Sequence, residues 1–165
     1  MHAIGEVDEA NSALGVAIAA LESGGGDTET INGLRRIQND LFDLGADIAT
    51  PADDSDDFAP GEMTLRIVQS QVDWLEQVID AANENLEPLT SFILPGGSAE
   101  AAAMHLARAI TRRSERALVI AADGARINPL ALIYLNRLSD YLFVLCRVIN
   151  ISRGGDVTWV PGQSR

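Results

Sequence analysis

Lysine is absent from this 165-residue chain, so all twelve of its basic residues are arginine. A chain without lysine cannot form a lysine Schiff base, and it cannot build the lysine-dependent phosphate loop of the P-loop nucleotidases. Any phosphate group must therefore be bound by arginine, whose planar guanidinium can donate two parallel hydrogen bonds to it.

Metal ligands and disulfides are also scarce. The only histidines are His2 and His105, and no Glu-x-x-His pair occurs, so di-iron and zinc sites lack ligands. The single cysteine, Cys146, cannot form a disulfide within the chain, and the N-terminal residues do not resemble a secretory signal. These features predict a cytoplasmic protein that has no metal site built from its own side chains.

The charge balance and the apolar content argue against two further classes of protein. The net charge is −12, which repels a phosphate backbone and argues against nucleic-acid binding as the main task. No run of 18 or more residues is free of charge, which argues against a membrane-spanning helix. The length suits one domain, and we expect residues 1–165 to form it.

Five segments repeat apolar residues every three or four positions, which is the spacing of an amphipathic helix. The third, from Leu65 to Leu86, is the most regular, and it predicts a long helix that ends before Pro88. Ser98 is a predicted cap of the fourth helix, and the fifth is expected to begin near Pro129. The pattern predicts an all-α fold, a five-helix antiparallel bundle with left-handed crossing, although the heptads could instead form coiled coils between chains.

The fourth segment concentrates positive charge in an acidic protein. It contains Arg108, Arg112, Arg113 and Arg116 within nine residues, with Glu115 among them. Like charges four residues apart destabilise an isolated helix by about 0.2–0.5 kcal/mol per pair, and a bound polyphosphate would reverse that effect. Two interpretations stay open: a phosphate site, or a solvated basic face. Arg113 is the member most easily explained by structure alone.

Other residues have one functional and one structural interpretation each. Asn136 and Asp140 share a face of the fifth helix, where Asn136 could recognise a hydroxyl or an amide or could simply lie at the surface. Phe92 lies in an apolar, glycine-containing stretch that predicts an extended loop, and its ring could face a ligand or the core. Cys146 is expected to be a small core residue, and His105 is expected at a helix surface or an interface rather than as a base.

Six blocks of the sequence, in this order, resemble the PduO-type ATP:cob(I)alamin adenosyltransferases. The blocks are GEVDEANS (5–12), QNDLFDLGAD (38–47), FILPGGS (92–98), HLARAITRRSER (105–116), YLNRLSD (134–140) and GGDVTWVP (154–161). They extend over nearly the whole chain, and six blocks in one order are far more specific than any one of them.

The resemblance implies an activity and a set of roles. It implies a homotrimeric five-helix bundle, with active sites between subunits, that transfers the 5′-deoxyadenosyl group of ATP to cob(I)alamin. The residues implied for the ATP site are Arg112, Arg113, Glu115, Arg116 and Asn136. Arg108 is expected to form a salt bridge with Asp8 of the partner subunit, and Phe92 is expected beneath the corrin ring. Arg112, Arg108 and Phe92 are the residues expected to matter most for catalysis.

The implied chemistry does not require a protein base, because cob(I)alamin is itself a strong nucleophile that attacks the 5′ carbon of ATP. The protein is expected to align the two substrates and, with Mg²⁺, to stabilise the departing triphosphate. A separate reductase is expected to supply Co(I). The protein partners implied are therefore other copies of this chain and that reductase.

One feature of the family has no counterpart in these residues: a phosphate-wrapping loop of the Thr-Arg-x-Gly-Asp-x-Gly type that precedes the first helix. For the chain as given we therefore expect weak ATP binding and little turnover. An alternative function is a corrinoid- or nucleotide-binding bundle without catalysis. A purely structural helical interaction protein is a further alternative, but it would leave the arginines of the fourth helix unexplained.

Overall fold

The computed structural model describes residues 1–50, 52–53 and 55–164, and these residues form five α-helices. The helices are α1 (His2–Ser23), α2 (Thr28–Ala49), α3 (Gln69–Asn83), α4 (Ala99–Ala122) and α5 (Pro129–Ile151). Within these ranges the only strand-like pairing is an isolated antiparallel bridge between Ile93 and Thr158. The predicted all-α fold with five helices is confirmed. None of the described helices is long and apolar enough to cross a membrane.

The starts of the helices follow local signals in the sequence. The side chain of Asp27 accepts a hydrogen bond from the amide of Thr30 at 2.8 Å and caps α2. Ser98 caps α4 in the same way, because its Oγ accepts from the amide of Ala101 at 3.2 Å. α5 begins with Pro129, whose missing N–H is not needed in a first turn. The cap and the start that were predicted for α4 and α5 are confirmed.

All five helices contribute to one hydrophobic core. α1 packs against α2 and α4, while α5 packs against α4, α3 and α2. Each helix buries a leucine almost completely in this core, namely Leu14, Leu34, Leu75, Leu118 and Leu135. Burying one such side chain contributes roughly 1.5–3 kcal/mol relative to leaving it in water. The burial of these faces therefore explains why the amphipathic segments fold together.

The direction of α1 relative to α4 follows from two contacts. The hydroxyl of Ser114, late in α4, donates to the carbonyl of Glu6, early in α1, at 2.6 Å. At the other end, a side chain on Gly24 would collide with the carboxylate of Glu100. The start of α1 therefore lies beside the end of α4, and the two helices are antiparallel.

The prediction of a long third helix from Leu65 to Leu86 is wrong. α3 begins only at Gln69, and Leu65 is exposed. The residues before α3 bond to α2 instead. Arg66 pairs with Asp47 of α2 at 2.8 Å, and the amide of Ile67 donates to the same carboxylate at 2.8 Å. These bonds hold residues 66–67 away from a helical path, although their apolar spacing fits one.

The Asp47 carboxylate is a buried junction of several segments. One oxygen accepts from Arg66, and the other accepts from the Ile67 amide and from the side-chain amide of Asn128 at 2.7 Å. Arg66 also donates to the carbonyl of Thr50 at 2.6 Å and pairs with Asp56 at 3.0 Å. The side chains of Asp47 and Arg66 are 0% and 2% exposed, so water screens this pair very little. The end of α2, the loop after it and the start of α5 are joined at this point.

We predict that Asp47→Ala lowers the free energy of unfolding by about 3–5 kcal/mol, because it leaves the Arg66 guanidinium buried without its main counter-charge. Urea denaturation measures the change. The matched control is Glu22→Ala, which removes one partner of the exposed Glu22–Arg35 pair and should cost only about 0–1 kcal/mol. Equal small losses in both variants would contradict a structural role for the buried pair.

Candidate functional site

The four arginines at the middle of α4 have different surroundings. The guanidinium of Arg108 lies over the ring of Phe143 on α5, with its carbon 5.1 Å from the ring centroid. Arg112 pairs with Glu115 of the same helix, whereas Arg113 extends toward α1. Arg116 is exposed and donates to the carbonyl of Arg112 at 3.1 Å. The four arginines, which are close together in the sequence, therefore make separate contacts in the structure.

A polar group that we call the Arg112 cluster joins α4 to α5, and it consists of Arg112, Glu115, Asn136 and Arg137. Arg112 pairs with one oxygen of Glu115 at 2.6 Å. The side-chain amide of Asn136 donates to the other oxygen at 3.0 Å. Arg137 in turn donates to the amide oxygen of Asn136 at 2.8 Å and pairs with Asp140 at 3.3 Å. Glu115 thus fixes Arg112 from one helix and Asn136 from the other.

The Arg112 cluster borders an open pocket of about 540 Å³. The pocket has a polar side and an apolar side, and its lining residues are Glu76, Glu115, Val119, Leu132, Ile133, Asn136 and Arg137. The side chain of Arg112 is 44% exposed although Glu115 holds it, so its remaining donors are open to a ligand. A guanidinium oriented by a residue that lines a partly apolar pocket is suited to an anionic ligand that carries an apolar ring.

Arg113 is placed apart from the Arg112 cluster. It pairs with Glu6 at 2.5 Å and also with Glu9, both on α1 of the same chain. The hydrogen bonds that it donates to Glu6 and then to Glu9 raise the pKa of Arg113 above its ordinary value. The structure therefore gives this arginine an internal role in joining α1 to α4, and it does not bring it to the pocket.

Among the described residues of a single chain, Arg108 and Asp8 do not form an ion pair with each other. Asp8 is exposed on α1, at the edge of a shallow pocket of about 390 Å³ that also contains the exposed ring of Phe42. Among the described residues Arg108 has no carboxylate partner, and Phe143 is its recorded contact. Both members of the expected intersubunit pair are thus available to another molecule.

Phe92 lies in the loop between α3 and α4, where its side chain is 76% exposed. A short stretch of the C-terminal tail runs beside this loop: Leu94 donates to the carbonyl of Val157 at 2.7 Å, and Trp159 donates to the carbonyl of Phe92 at 2.8 Å. The rings of Phe92 and Trp159 meet edge to face, with centroids 5.9 Å apart. The interpretation of Phe92 as an ordinary core residue is therefore wrong, and an aromatic surface stands open to a ligand.

The two residues expected to be inert are both buried. Cys146 is fully buried, as predicted, and burial raises the pKa of its thiol to about 12, which keeps it unreactive. His105 was expected at a surface or an interface, but it is only 5% exposed within the single chain. Burial, and then the positive charge of Arg108, lower the pKa of His105, so it is neutral at pH 7. The apolar side of α4 is wider at this point than the sequence pattern indicated.

Metal-ligating side chains do not converge anywhere in the described residues. No group of three or more His, Cys, Asp or Glu residues is close enough to hold an ion. A Mg²⁺ ion would therefore have to take most of its ligands from a substrate and from water.

Two residues that contribute to the candidate site were not assigned a role from the sequence. Trp159 contacts Phe92 although 67 residues separate them, and the only signal was its place in the last of the six matching blocks. Arg137 follows Asn136 in the fifth matching block, but spacing alone could not show that it binds the Asn136 amide. Both roles depend on contacts that appear only when the helices and the tail are packed.

Comparisons with known proteins agree on one family. A family model described as cobalamin adenosyltransferase matches residues 1–149. The corrinoid adenosyltransferase of Mycobacterium tuberculosis is 47% identical over 165 residues, which cover 99% of this chain and 81% of the relative. The corrinoid adenosyltransferase of Bacillus subtilis is 39% identical, covering 96% of this chain and 79% of the relative.

A solved structure has the same fold. It is a variant of the PduO-type ATP:corrinoid adenosyltransferase from Lactobacillus reuteri in complex with cobalamin and ATP. The two structures superpose with a TM-score of 0.83 at 39% sequence identity, over 95% of this chain and 83% of the other.

We predict that Phe92→Ala changes the free energy of unfolding by less than about 1.5 kcal/mol, because it removes an exposed ring and one edge-to-face contact. Leu118→Ala is the matched core control and should cost about 2–5 kcal/mol, since Leu118 is fully buried. Urea denaturation of both variants measures the difference. A loss of 3–5 kcal/mol for Phe92→Ala would mean that the ring is a core residue after all.

Proposed function

Because this chain belongs to the cobalamin adenosyltransferase family, we propose that its Arg112 cluster binds the ATP from which the enzyme transfers a 5′-deoxyadenosyl group to cob(I)alamin. The products are adenosylcobalamin and triphosphate. The observation that carries the assignment of the site is the setting of Arg112: Glu115 holds it, its side chain is 44% exposed, and Glu115 itself lines a pocket together with Asn136.

ATP fits this site by charge and by shape. Arg112 would bind the triphosphate through two parallel hydrogen bonds, with the exposed Arg116 one turn further along the same helix. Asn136 and Glu115 would offer polar contacts to the ribose or the base. The apolar part of the pocket, formed by Val119 and Ile133, suits a nucleobase. Arg113 was also expected here, but its pairing with α1 makes it a support for α4 in this proposal rather than a ligand contact.

The reaction needs alignment and charge stabilisation rather than a protein base. The electron pair of Co(I) attacks the 5′ carbon of ATP, the new Co–C bond forms, and the bond from that carbon to its oxygen breaks. The electron pair of the broken bond leaves with the triphosphate, and no proton has to move. An arginine that is fixed before the reaction stabilises the leaving phosphates without a reorganisation cost at that moment. This is the role that we propose for Arg112.

Magnesium is expected to arrive on the triphosphate. The described residues hold no cluster of three ligating side chains, so the protein offers no complete site of its own. Mg²⁺ in nucleotide sites commonly takes ligands from the phosphates and from water. The steps assigned to this chain's residues do not depend on a protein-built metal site.

Phe92 is the residue that we propose beneath the corrin ring. It is exposed and apolar, and it precedes α4 at the end where that helix begins. Arg112 lies fourteen residues after the cap Ser98, which corresponds to about 21 Å of helix. A corrin ring at Phe92 and a triphosphate at Arg112 would therefore be separated along the axis of α4, with the reacting carbon between them.

The assembly that fits the family resemblance is a homotrimer with its sites between subunits. Asp8 and Arg108 lack partners for each other within one chain, and α4 exposes the large apolar side chains of Leu106 and Ile120. Contact between copies would bury these apolar groups and let Arg108 pair with Asp8 of the partner subunit. The same proposal includes a cytoplasmic location for the protein. It also includes a separate reductase that supplies Co(I).

We predict that Arg112→Ala weakens ATP binding at least tenfold, equivalent to about 1.4 kcal/mol, and lowers the formation of adenosylcobalamin from ATP and cob(I)alamin. Calorimetry measures the affinity, and the absorption spectrum follows the product. Arg35→Ala is the control, because Arg35 is an exposed arginine of α2 whose ion pair is with the exposed Glu22. Unchanged affinity in Arg112→Ala would mean that the arginines of α4 form only a solvated face.

We also predict that the protein sediments as a trimer at micromolar concentration, with three times the 17.6 kDa mass of one chain. Arg108→Ala should shift the equilibrium toward monomer, because losing one partner of a buried pair costs roughly 3–5 kcal/mol. Arg35→Ala should leave the mass unchanged. A monomer mass for the unaltered protein in sedimentation equilibrium would contradict the proposed assembly.

A further inference from the structure

The exposed rings of Phe92 and Trp159 belong to two irregular segments rather than to helices. Phe92 belongs to the loop of residues 88–98, which we call the PGG loop, and Trp159 belongs to the tail after α5. The two segments bond to each other through the amides of Leu94 and Trp159 at 2.7 and 2.8 Å. The hydroxyl of Ser91 also donates to the carbonyl of Trp159 at 2.9 Å. Mutual pairing sets their register but does not fix either segment to the bundle.

Two side chains of α5, three residues apart, provide that attachment. Arg147 donates to the carbonyl of Glu87 at 2.6 Å, immediately before the PGG loop. Asn150 donates to the carbonyl of Gly96 at 3.1 Å and accepts from the amide of Ser98 at 3.2 Å, at the other end of the loop. The loop that carries Phe92 is therefore held at both ends by one turn of one helix.

The same two side chains hold the tail through Asp156. One carboxylate oxygen of Asp156 pairs with Arg147 at 3.1 Å, and the other lies 3.5 Å from the amide nitrogen of Asn150. Asp156 directly precedes the stretch that pairs with the PGG loop. The Arg147 and Asp156 side chains are only 11% and 16% exposed, so this ion pair is better shielded from water than the other pairs near the surface.

Glycines lie where the loop and the tail meet Asn150. Gly97 has a φ of +100°, and a side chain at that position would collide with the Asn150 amide. Gly154 and Gly155 also have positive φ, and the amide of Gly155 donates to the carbonyl of Asn150 at 2.8 Å. Gly97 thus lets the loop approach Asn150 closely, and the positive φ of Gly154 and Gly155 suits glycine in the turn that leads into the tail.

From these contacts we propose that Arg147, Asn150 and Asp156 are positioning residues that set where Phe92 and Trp159 stand, and thereby the geometry of the corrinoid-facing surface. They act through the loop and the tail and would not touch the substrate themselves. The part that concerns corrinoid rests on the role of Phe92 in the proposed function. The part that concerns attachment rests only on the contacts described above.

The experiment uses Asp156→Asn and Arg147→Lys. Asp156→Asn keeps the size of the side chain but removes the charge that pairs with Arg147. Arg147→Lys keeps the charge, but one ammonium cannot reach both Asp156 and the Glu87 carbonyl as the guanidinium does. The matched controls are Asp80→Asn, at an exposed carboxylate of α3, and Arg35→Lys, at an exposed arginine of α2.

The first measurement tests attachment without any corrinoid. All proteins carry Trp74→Phe, which leaves Trp159 as the single tryptophan. In both positioning variants, acrylamide should quench Trp159 at least twofold more strongly than in the controls, and the amides of Leu94 and Trp159 should exchange at least tenfold faster. Far-UV circular dichroism and ATP affinity should stay as in the controls, because the Arg112 cluster lies elsewhere along α4. Unchanged quenching and exchange in both variants would overturn the proposal.

The second measurement tests the consequence for the substrate, with Phe92→Ala as reference. We expect kcat/KM for cob(I)alamin to fall at least fivefold in the positioning variants, with KM for ATP within twofold. The spectral signal of four-coordinate Co(II), recorded with cob(II)alamin and ATP, should decrease in parallel. If Phe92→Ala loses this signal while the detached variants keep it, the positioning role is wrong and the role of Phe92 stands. If Phe92→Ala itself changes nothing, the role proposed for Phe92 fails, and the corrinoid part of the inference fails with it.

Discussion

The buried carboxylate of Asp47 is the contact on which the arrangement of the helices depends. It takes hydrogen bonds from Arg66, from the amide of Ile67 and from Asn128, which ends the loop before α5. An unpaired carboxylate at this depth would be strongly unfavourable, so the three segments must meet there. This meeting sets where α3 starts and where α5 starts. The register of α5 against α4, and thus the distance from Asn136 to Glu115, follows from the start of α5.

The pair formed by α4 and α5 carries both proposed halves of the site. The Arg112 cluster bridges the two helices near their middle, and the PGG loop and the tail attach to the last turns of α5 through Arg147 and Asn150. A rigid pair of helices can hold two substrates at a fixed separation, which is the main requirement when the nucleophile is itself a substrate. The polar contacts between the helices therefore matter for geometry as much as for stability.

Charge is distributed in a way that the overall composition conceals. The chain has a net charge of −12, yet α4 contains four arginines within nine residues. Three carboxylates offset two of these positive charges: Glu115 pairs with Arg112, while Glu6 and Glu9 pair with Arg113. Arg112 remains partly open because Glu115 occupies only one side of its guanidinium. Acidic residues here orient basic ones.

The sequence by itself determined the five helices, the cap at Ser98, the start of α5 at Pro129, the family, and the residues from which the site is proposed. Apolar period, capping chemistry and motif order are properties of neighbouring residues. It did not determine the short α3, the burial of His105, the separation of Arg113 from Arg112, or the contact between Phe92 and Trp159. Three of these depend on a partner that is distant in the chain: Asp47 for Arg66, α1 for Arg113, and the tail for Phe92. The burial of His105 depends on how the helices pack. Local periodicity fits Leu65 to a helix and sets Arg108, Arg112 and Arg116 along one side of α4, and only the packed helices decide which side chains bond to a distant segment.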